Sequence, residues 1–138
     1  MSSGKTMHLN IITPDATVYS GDVSFVVART EIGDLGILPR HANLVAALEI
    51  APLRIDTVEG KKIFLANFGG FLEIKDNEIT VVTPNCELPE DIDVERAKRA
   101  KARAEERLQS KSEEIDFQRA QLALKRSLLR LDIKNKVG

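Results

Sequence analysis

Cysteine is almost missing from this chain. Cys86 stands alone, so no internal disulfide can form, and such usage fits a reducing compartment. Histidine is as scarce: His8 and His41 are too few for a metal site, and no Cys/His spacing suggests zinc. No apolar run approaches the roughly 20 residues of a membrane span, and Met1 to Asn10 lacks a signal peptide's apolar core. Tryptophan is absent and Tyr19 is the single tyrosine, which leaves little to stack on unpaired bases. Neither charge sign dominates the 138 residues, with 20 Lys and Arg against 21 Asp and Glu. From Glu90 onward, however, thirteen basic residues meet ten acidic ones, while the earlier part has seven against eleven. A mildly acidic body with a mildly basic tail argues against nucleic acid as the main partner, since duplex binding needs a stronger basic patch. It points to a tail that meets something acidic.

One motif misleads. Ser2-Ser3-Gly4-Lys5-Thr6 looks like the end of a phosphate-binding P-loop, but that motif needs an earlier glycine, a preceding strand and a following helix. The residues after Thr6 are strand-like instead, so this stretch reads as a loose terminus.

From Met7 to Thr83 the signals are those of strands. Leu9 and Ile11, then Val23, Phe25 and Val27, alternate at period two. Turn residues recur often: Pro14-Asp15, Gly21-Asp22, Gly33-Asp34, Pro39, Pro52, Glu59-Gly60, Gly69-Gly70 and Asp76-Asn77. Short strands so spaced predict an antiparallel sandwich or flattened barrel. Two hairpins are expected, 53–57 with 61–65 and 71–75 with 78–82. No nucleophile is paired with a base, and no carboxylate pair suggests catalysis, so this body reads as a binding module.

The remainder is helical. No Gly or Pro interrupts the run from Ile92 to Leu108 or the run from Ile115 to Leu131, and the break at Gln109-Ser110-Lys111-Ser112 predicts an antiparallel two-helix hairpin. Asp91 is the expected N-cap, with Asp93 and Glu95 in the first turn. The first helix offers Ala97, Ala100, Ala104 and Leu108 as a weak apolar face. The second offers Phe117, Ala120, Leu124, Leu128 and Leu131, with Ile115, Leu122 and Leu129 as a further row. Arg96, Arg99, Arg103 and Arg107 recur at spacings of three or four, and Arg119, Arg126 and Arg130 also share a helix face. Rows of like charge repel unless an anion or acidic partner sits between them. A solvated charged face accounts for the pattern equally well.

Gly33-Asp34-Leu35-Gly36-Ile37-Leu38-Pro39-Arg40-His41, then Leu44-Val45-Ala46 and Gly69-Gly70-Phe71-Leu72-Glu73, resemble the epsilon subunit of bacterial F-type ATP synthases. The resemblance runs from about Met7 to Ile133. That family usually has glycine where Arg40 stands, so a different local turn is expected here. The resemblance implies an α+β chain: an N-terminal antiparallel β-sandwich (1–87) that binds the gamma subunit and the c-ring, and a C-terminal antiparallel two-helix hairpin (88–138). It further implies a non-catalytic rotor subunit, peripheral at the cytoplasmic face of the bacterial cell membrane and without membrane insertion. Extended, the hairpin would reach the catalytic alpha and beta subunits and brake ATP hydrolysis. Ile92-Asp93-Val94-Glu95-Arg96-Ala97 resembles the family's ATP-binding motif. Carried over, Ile92, Asp93 and Ala97 would border the adenine with Glu87 close by, and Arg96, Arg103, Arg126 and Arg130 would face ribose and phosphates. ATP is then a regulatory ligand, and no catalytic cofactor is implied. The plainer account of Asp93 and Arg96 is a salt pair in a first helical turn. A stand-alone ATP-hydrolysing enzyme is disfavoured by the missing P-loop, and an RNA-binding basic hairpin by the lack of stacking aromatics.

Overall fold

The period-two segments become nine strands in a computed structural model that describes residues 6–110 and 114–137. They are β1 (Met7–Ile12), β2 (Thr17–Thr30), β3 (Gly33–Ile37), β4 (Leu44–Ala47), β5 (Ile50–Thr57), β6 (Lys62–Phe68), β7 (Phe71–Lys75), β8 (Glu78–Val82) and β9 (Cys86–Glu87). A 3-10 turn (Pro89–Asp91) leads into α1 (Val94–Gln109) and α2 (Glu114–Val137). The chain divides into two compact units, Met1–Leu88 and Pro89–Gly138. The terminal Ser2–Thr6 reading falls mostly on residues 1–5, and part of the expected helix break on Lys111-Ser112, outside the described residues.

The first unit turns on β2. Hydrogen-bonded neighbours run β4-β7-β8-β1-β2-β5-β6-β9, with β3 paired to β2. The first half of β2 pairs with β1, from Ile12↔Thr17 to Met7↔Val23. Its second half pairs with β3 and β5, and the register slips between Val23 and Phe25. A bulge there lets one long strand serve two layers. Alternation then fills the space between them: β5 buries Ala51, Leu53, Ile55 and Thr57 in turn. Leu9, Ile11, Val26, Ile37, Leu65, Leu72, Ile79 and Val81 join Leu53 and Ile55 in one core, and Leu88 packs against it. Burying a large aliphatic side chain contributes about 1.5–3 kcal/mol, so this core can hold the unit together.

Two expectations need correction. The sandwich is not wholly antiparallel, because β1 and β8 pair in parallel from His8↔Glu78 to Ile12↔Val82. Nor does the turn at Arg40 avoid a glycine-like backbone: Arg40 takes φ +68. For an L-residue that region costs roughly 1–2 kcal/mol. Asp76 and Asn77 also have positive φ, as a two-residue hairpin turn requires. Asn77 ties three segments together. Its Oδ1 accepts from the Arg40 N–H at 2.7 Å, its Nδ2 donates to the Thr6 carbonyl at 3.0 Å, and its carbonyl accepts from the His8 N–H at 3.3 Å.

In the second unit α1 and α2 pack on each other. The seam buries Ala97 and Ala104 of α1 and Ala120 and Ser127 of α2. Ser127, not the expected Leu128, faces inward; Leu128, Phe117 and Leu122 are exposed. Spacing explains the exchange, since position 127 lies seven residues after Ala120, close to two full turns. The Ser127 hydroxyl donates to the Ala123 carbonyl at 2.9 Å, so no polar atom is orphaned. Beyond the expected end at Leu131, α2 continues through the buried Ile133, and Lys134 Nζ donates to the Pro89 carbonyl at 2.7 Å.

Candidate functional site

The helix start decides where the motif residues go. Asp91 is not the cap: it closes the 3-10 turn, where the Ile92 N–H donates to the Pro89 carbonyl at 3.2 Å. Asp93 caps instead, in extended backbone, and its Oδ1 accepts from the Arg96 N–H at 3.1 Å. Removing such a cap costs about 1 kcal/mol. Asp93 therefore bonds the backbone of Arg96, and no ion pair joins the two side chains among the described residues. Ile92 and Ala97 are buried, while Asp93 and Arg96 are exposed.

The arginines obey a simple geometry. At about 100° per residue, Arg96, Arg103 and Arg107 lie roughly a quarter-turn to one side of the Ala97/Ala104 line. Arg119, Arg126 and Arg130 lie roughly a quarter-turn to the same side of Ala120/Ser127. Because the helices run in opposite directions, equal offsets place both rows on one side of the hairpin. Arg99 falls near the far side. Two pockets, of about 300 and 410 Å³, open at the turn end and share Arg107 and Ser110; Arg103 and Glu106 line one, Asp116 and Arg119 the other. Arg107 and Arg119 thus extend the candidate set, and their spacing in the sequence already carried that signal. Arg130 is half-buried, whereas Arg96, Arg103 and Arg126 are exposed. Glu87 belongs to the other unit. It is half-buried in β9 and accepts from Asn85 Nδ2 at 2.9 Å.

The β unit has its own exposed features. Ala47, Phe71, Val82 and Ile12 stand side by side across β4, β7, β8 and β1. Phe71 is 60% exposed and Val82 54%, and Val45 on β4 is 69% exposed. A patch of this kind marks a protein contact more often than chance exposure does. A pocket of about 380 Å³ lies between the β2–β3 turn and β4, lined by Ile32, Leu35, Leu44 and Val45 among others. Next to the apolar row is a Ser–His–Asp likeness: His8 Nδ1 lies 3.1 Å from Asp22 Oδ1, and Ser20 Oγ lies 3.3 Å from His8 Nε2. Ser20 gives its proton to Asn10 Oδ1 at 2.8 Å, on exposed strands, so it is not poised as a nucleophile. Among the described residues no His, Cys, Asp or Glu group could hold a metal, and no helix is long and apolar enough to cross a membrane. Burial, with help from the Glu87 charge, pushes the Cys86 thiol up to about 12, which makes it inert.

A β-sandwich with an exposed apolar row, followed by a two-helix hairpin with two arginine rows, defines a two-unit α+β chain. Residues 6–89 match the beta-sandwich domain, and residues 90–135 the long alpha-helix domain, of the ATP synthase delta/epsilon chain. Among similar proteins, the ATP synthase epsilon chain of Halalkalibacterium halodurans is 50% identical over 93% of this chain and 96% of the relative. That of Desulforamulus reducens is 48% identical over 92% and 96%. A chain of the Euglena gracilis mitochondrial ATP synthase superposes with a TM-score of 0.80 at 25% identity, over 93% of this chain and 80% of that one. A Tetrahymena thermophila mitochondrial ATP synthase chain shares the fold at 16% identity, with a TM-score of 0.63 over 96% and 99%. The chain belongs to the ATP synthase delta/epsilon-chain family, in its epsilon form. It is a non-catalytic subunit of the central stalk of a membrane-associated F-type ATP synthase.

Proposed function

We propose that the hairpin is an ATP-responsive brake within that stalk. The β-sandwich binds the gamma subunit and the c-ring at the cytoplasmic face of the membrane. The hairpin passes between a folded form that binds one ATP and an extended form that meets the catalytic alpha and beta subunits and slows ATP hydrolysis. The observation that supports this reading is the placement of both arginine rows on one side of the hairpin. Each stacked like-charge pair costs about 0.2–0.5 kcal/mol, and a polyphosphate between the rows removes that repulsion while accepting charge-assisted hydrogen bonds. Arg96, Arg103, Arg126 and Arg130 supply the phosphate side. Ile92, Asp93 and Ala97, with Glu87, supply the adenine side. Asp93 has a second carboxylate oxygen beyond the one that caps α1, and a carboxylate can accept at both.

ATP shifts the balance only through its differential affinity for the folded form. The alanine seam gives the folded hairpin little support of its own, so a modest binding energy decides its state. Calorimetric titration of the chain with ATP, ADP and GTP tests the reading. ATP should bind without turnover, and Arg126→Ala should weaken it by about 1.5–3 kcal/mol, on the order of ten- to a hundredfold. Absence of any ATP heat with the intact chain would refute the proposal.

A further inference from the structure

Lys134 stands where the helix seam runs out. On α2 the buried seam positions Ala120 and Ser127 lie two turns apart, and the same step again reaches Lys134. On α1 the matching step back from Ala104 and Ala97 reaches position 90, which lies in the 3-10 turn (Pro89–Asp91) and not in the helix. The end of α2 accordingly packs on that turn. There the half-buried Lys134 ammonium donates to the Pro89 carbonyl at 2.7 Å. The same carbonyl accepts from the Ile92 N–H at 3.2 Å, the bond that closes the turn. A carbonyl has two lone pairs, so it can hold both donors at once.

That turn sets the start of α1, with Asp93 as its cap, and so sets where Ile92, Asp93 and Arg96 stand. On the other helix, Arg130 lies one turn before Lys134, about 6 Å along the axis, and Arg126 one turn before that. The Lys134–Pro89 bond therefore ties the segment carrying Ile92 and Asp93 to the helix carrying Arg126 and Arg130. Methyl contacts along the seam fix such a register weakly, whereas a charge-assisted hydrogen bond fixes both distance and direction.

We infer that Lys134 is a positioning residue for the nucleotide: through Pro89 it holds Ile92 and Asp93, on the adenine side, in register with the phosphate-side arginines of α2. This rests on the reading that the folded hairpin binds ATP. The test is calorimetric titration of the full chain with ATP and with GTP, which presents the same phosphates without the adenine edge. Lys134→Met keeps an unbranched stem and a good helix former and removes the donor. It should weaken ATP binding on the order of tenfold, as loss of one hydrogen bond to a charged group does, and GTP binding by less than about threefold. The unequal loss is decisive. A variant that only made the folded hairpin rarer would lower both affinities by the same factor, the folded fraction. Lys134→Arg retains a cationic donor on a long stem and should bind ATP within about threefold of the parent chain. Equal losses for ATP and GTP, an arginine variant as weak as the methionine variant, or a methionine variant that binds like the parent would each overturn the inference. If the parent chain itself binds no ATP, the reading of the hairpin as a nucleotide sensor falls instead.

Discussion

The two units of this chain are held together by different amounts of buried surface. In the β unit, Leu53, Ile55, Leu65, Leu72 and Ile79 are at most 1% exposed, each with a full aliphatic side chain in the core. In the hairpin unit, the seam buries three alanines and a serine, and Ile92, Leu129 and Ile133 are the large aliphatic side chains buried among its described residues. A methyl group removes little apolar area from water, so the seam contributes a small fraction of what the β core does. The contrast separates a mount from a moving part. Under the proposed function, one unit keeps its shape and the other leaves its packed form at small cost.

The largest test of this contrast lies at Gly70. A Cβ there would stand 2.1 Å from the Val82 carbonyl oxygen and 2.7 Å from Thr83 Cα, at φ +96. Gly70→Ala should cost more than about 4 kcal/mol, the range reserved for severe backbone conflicts, and urea unfolding should show the β unit unfolded or nearly so. Next, Leu65→Ala should cost about 2–5 kcal/mol. Ala104→Gly in the seam should cost only about 1 kcal/mol. If the two prove equal in denaturant titrations, the hairpin is not the weaker unit.

A third effect depends on pH. The folded-state value of Cys86 lies above its ordinary value of 9.0, at about 12. The stability that the neutral thiol contributes is therefore complete below about pH 9 and is lost as pH rises from there toward 12, by about 1.4 kcal/mol per unit. Cys86→Ala should flatten that decline relative to the parent chain, and the hairpin's helical signal should not track it. On the scale of the Ala104→Gly change, Asp93→Ala should cost the α1 start about 1 kcal/mol by loss of the cap, read as reduced helicity. Asp93→Ser keeps a cap and removes the carboxylate. If ATP binding depends on the carboxylate, the serine variant should bind as poorly as the alanine variant while retaining its helix.

Local patterns were legible and long-range ones were not. Alternation located β5, β6, β7 and β8 and both of their hairpin turns, because period two and the Asp76-Asn77 pair are local signals. The β1–β8 pairing joins segments far apart in sequence, and no local pattern reports it. Both Asp91 and Asp93 suit an N-cap; the 3-10 turn after Pro89 moved the start two residues on. Leu128 attracted notice by its hydrophobicity, but helical phase gave the seam position to Ser127. At the candidate site, the spacing of the arginines foretold each row. That the rows share one side depends on the antiparallel packing of the two helices. The strain at Arg40 was invisible to pattern, since an arginine in a loop calls for no special backbone.

The parallel β1–β8 pair also sets an order for synthesis. Leu9 and Ile11 leave the ribosome long before their neighbour on one side, β8, which ends only at Val82. Until then the nascent chain must carry an open strand edge with apolar residues behind it, the kind of edge that invites mispairing. The β unit can therefore close only after nearly all of its own length has emerged. Removing β1 would strip β8 of the neighbour it docks against. Removing the hairpin should leave a sandwich that still unfolds cooperatively, which urea titration of a chain ending at Leu88 checks.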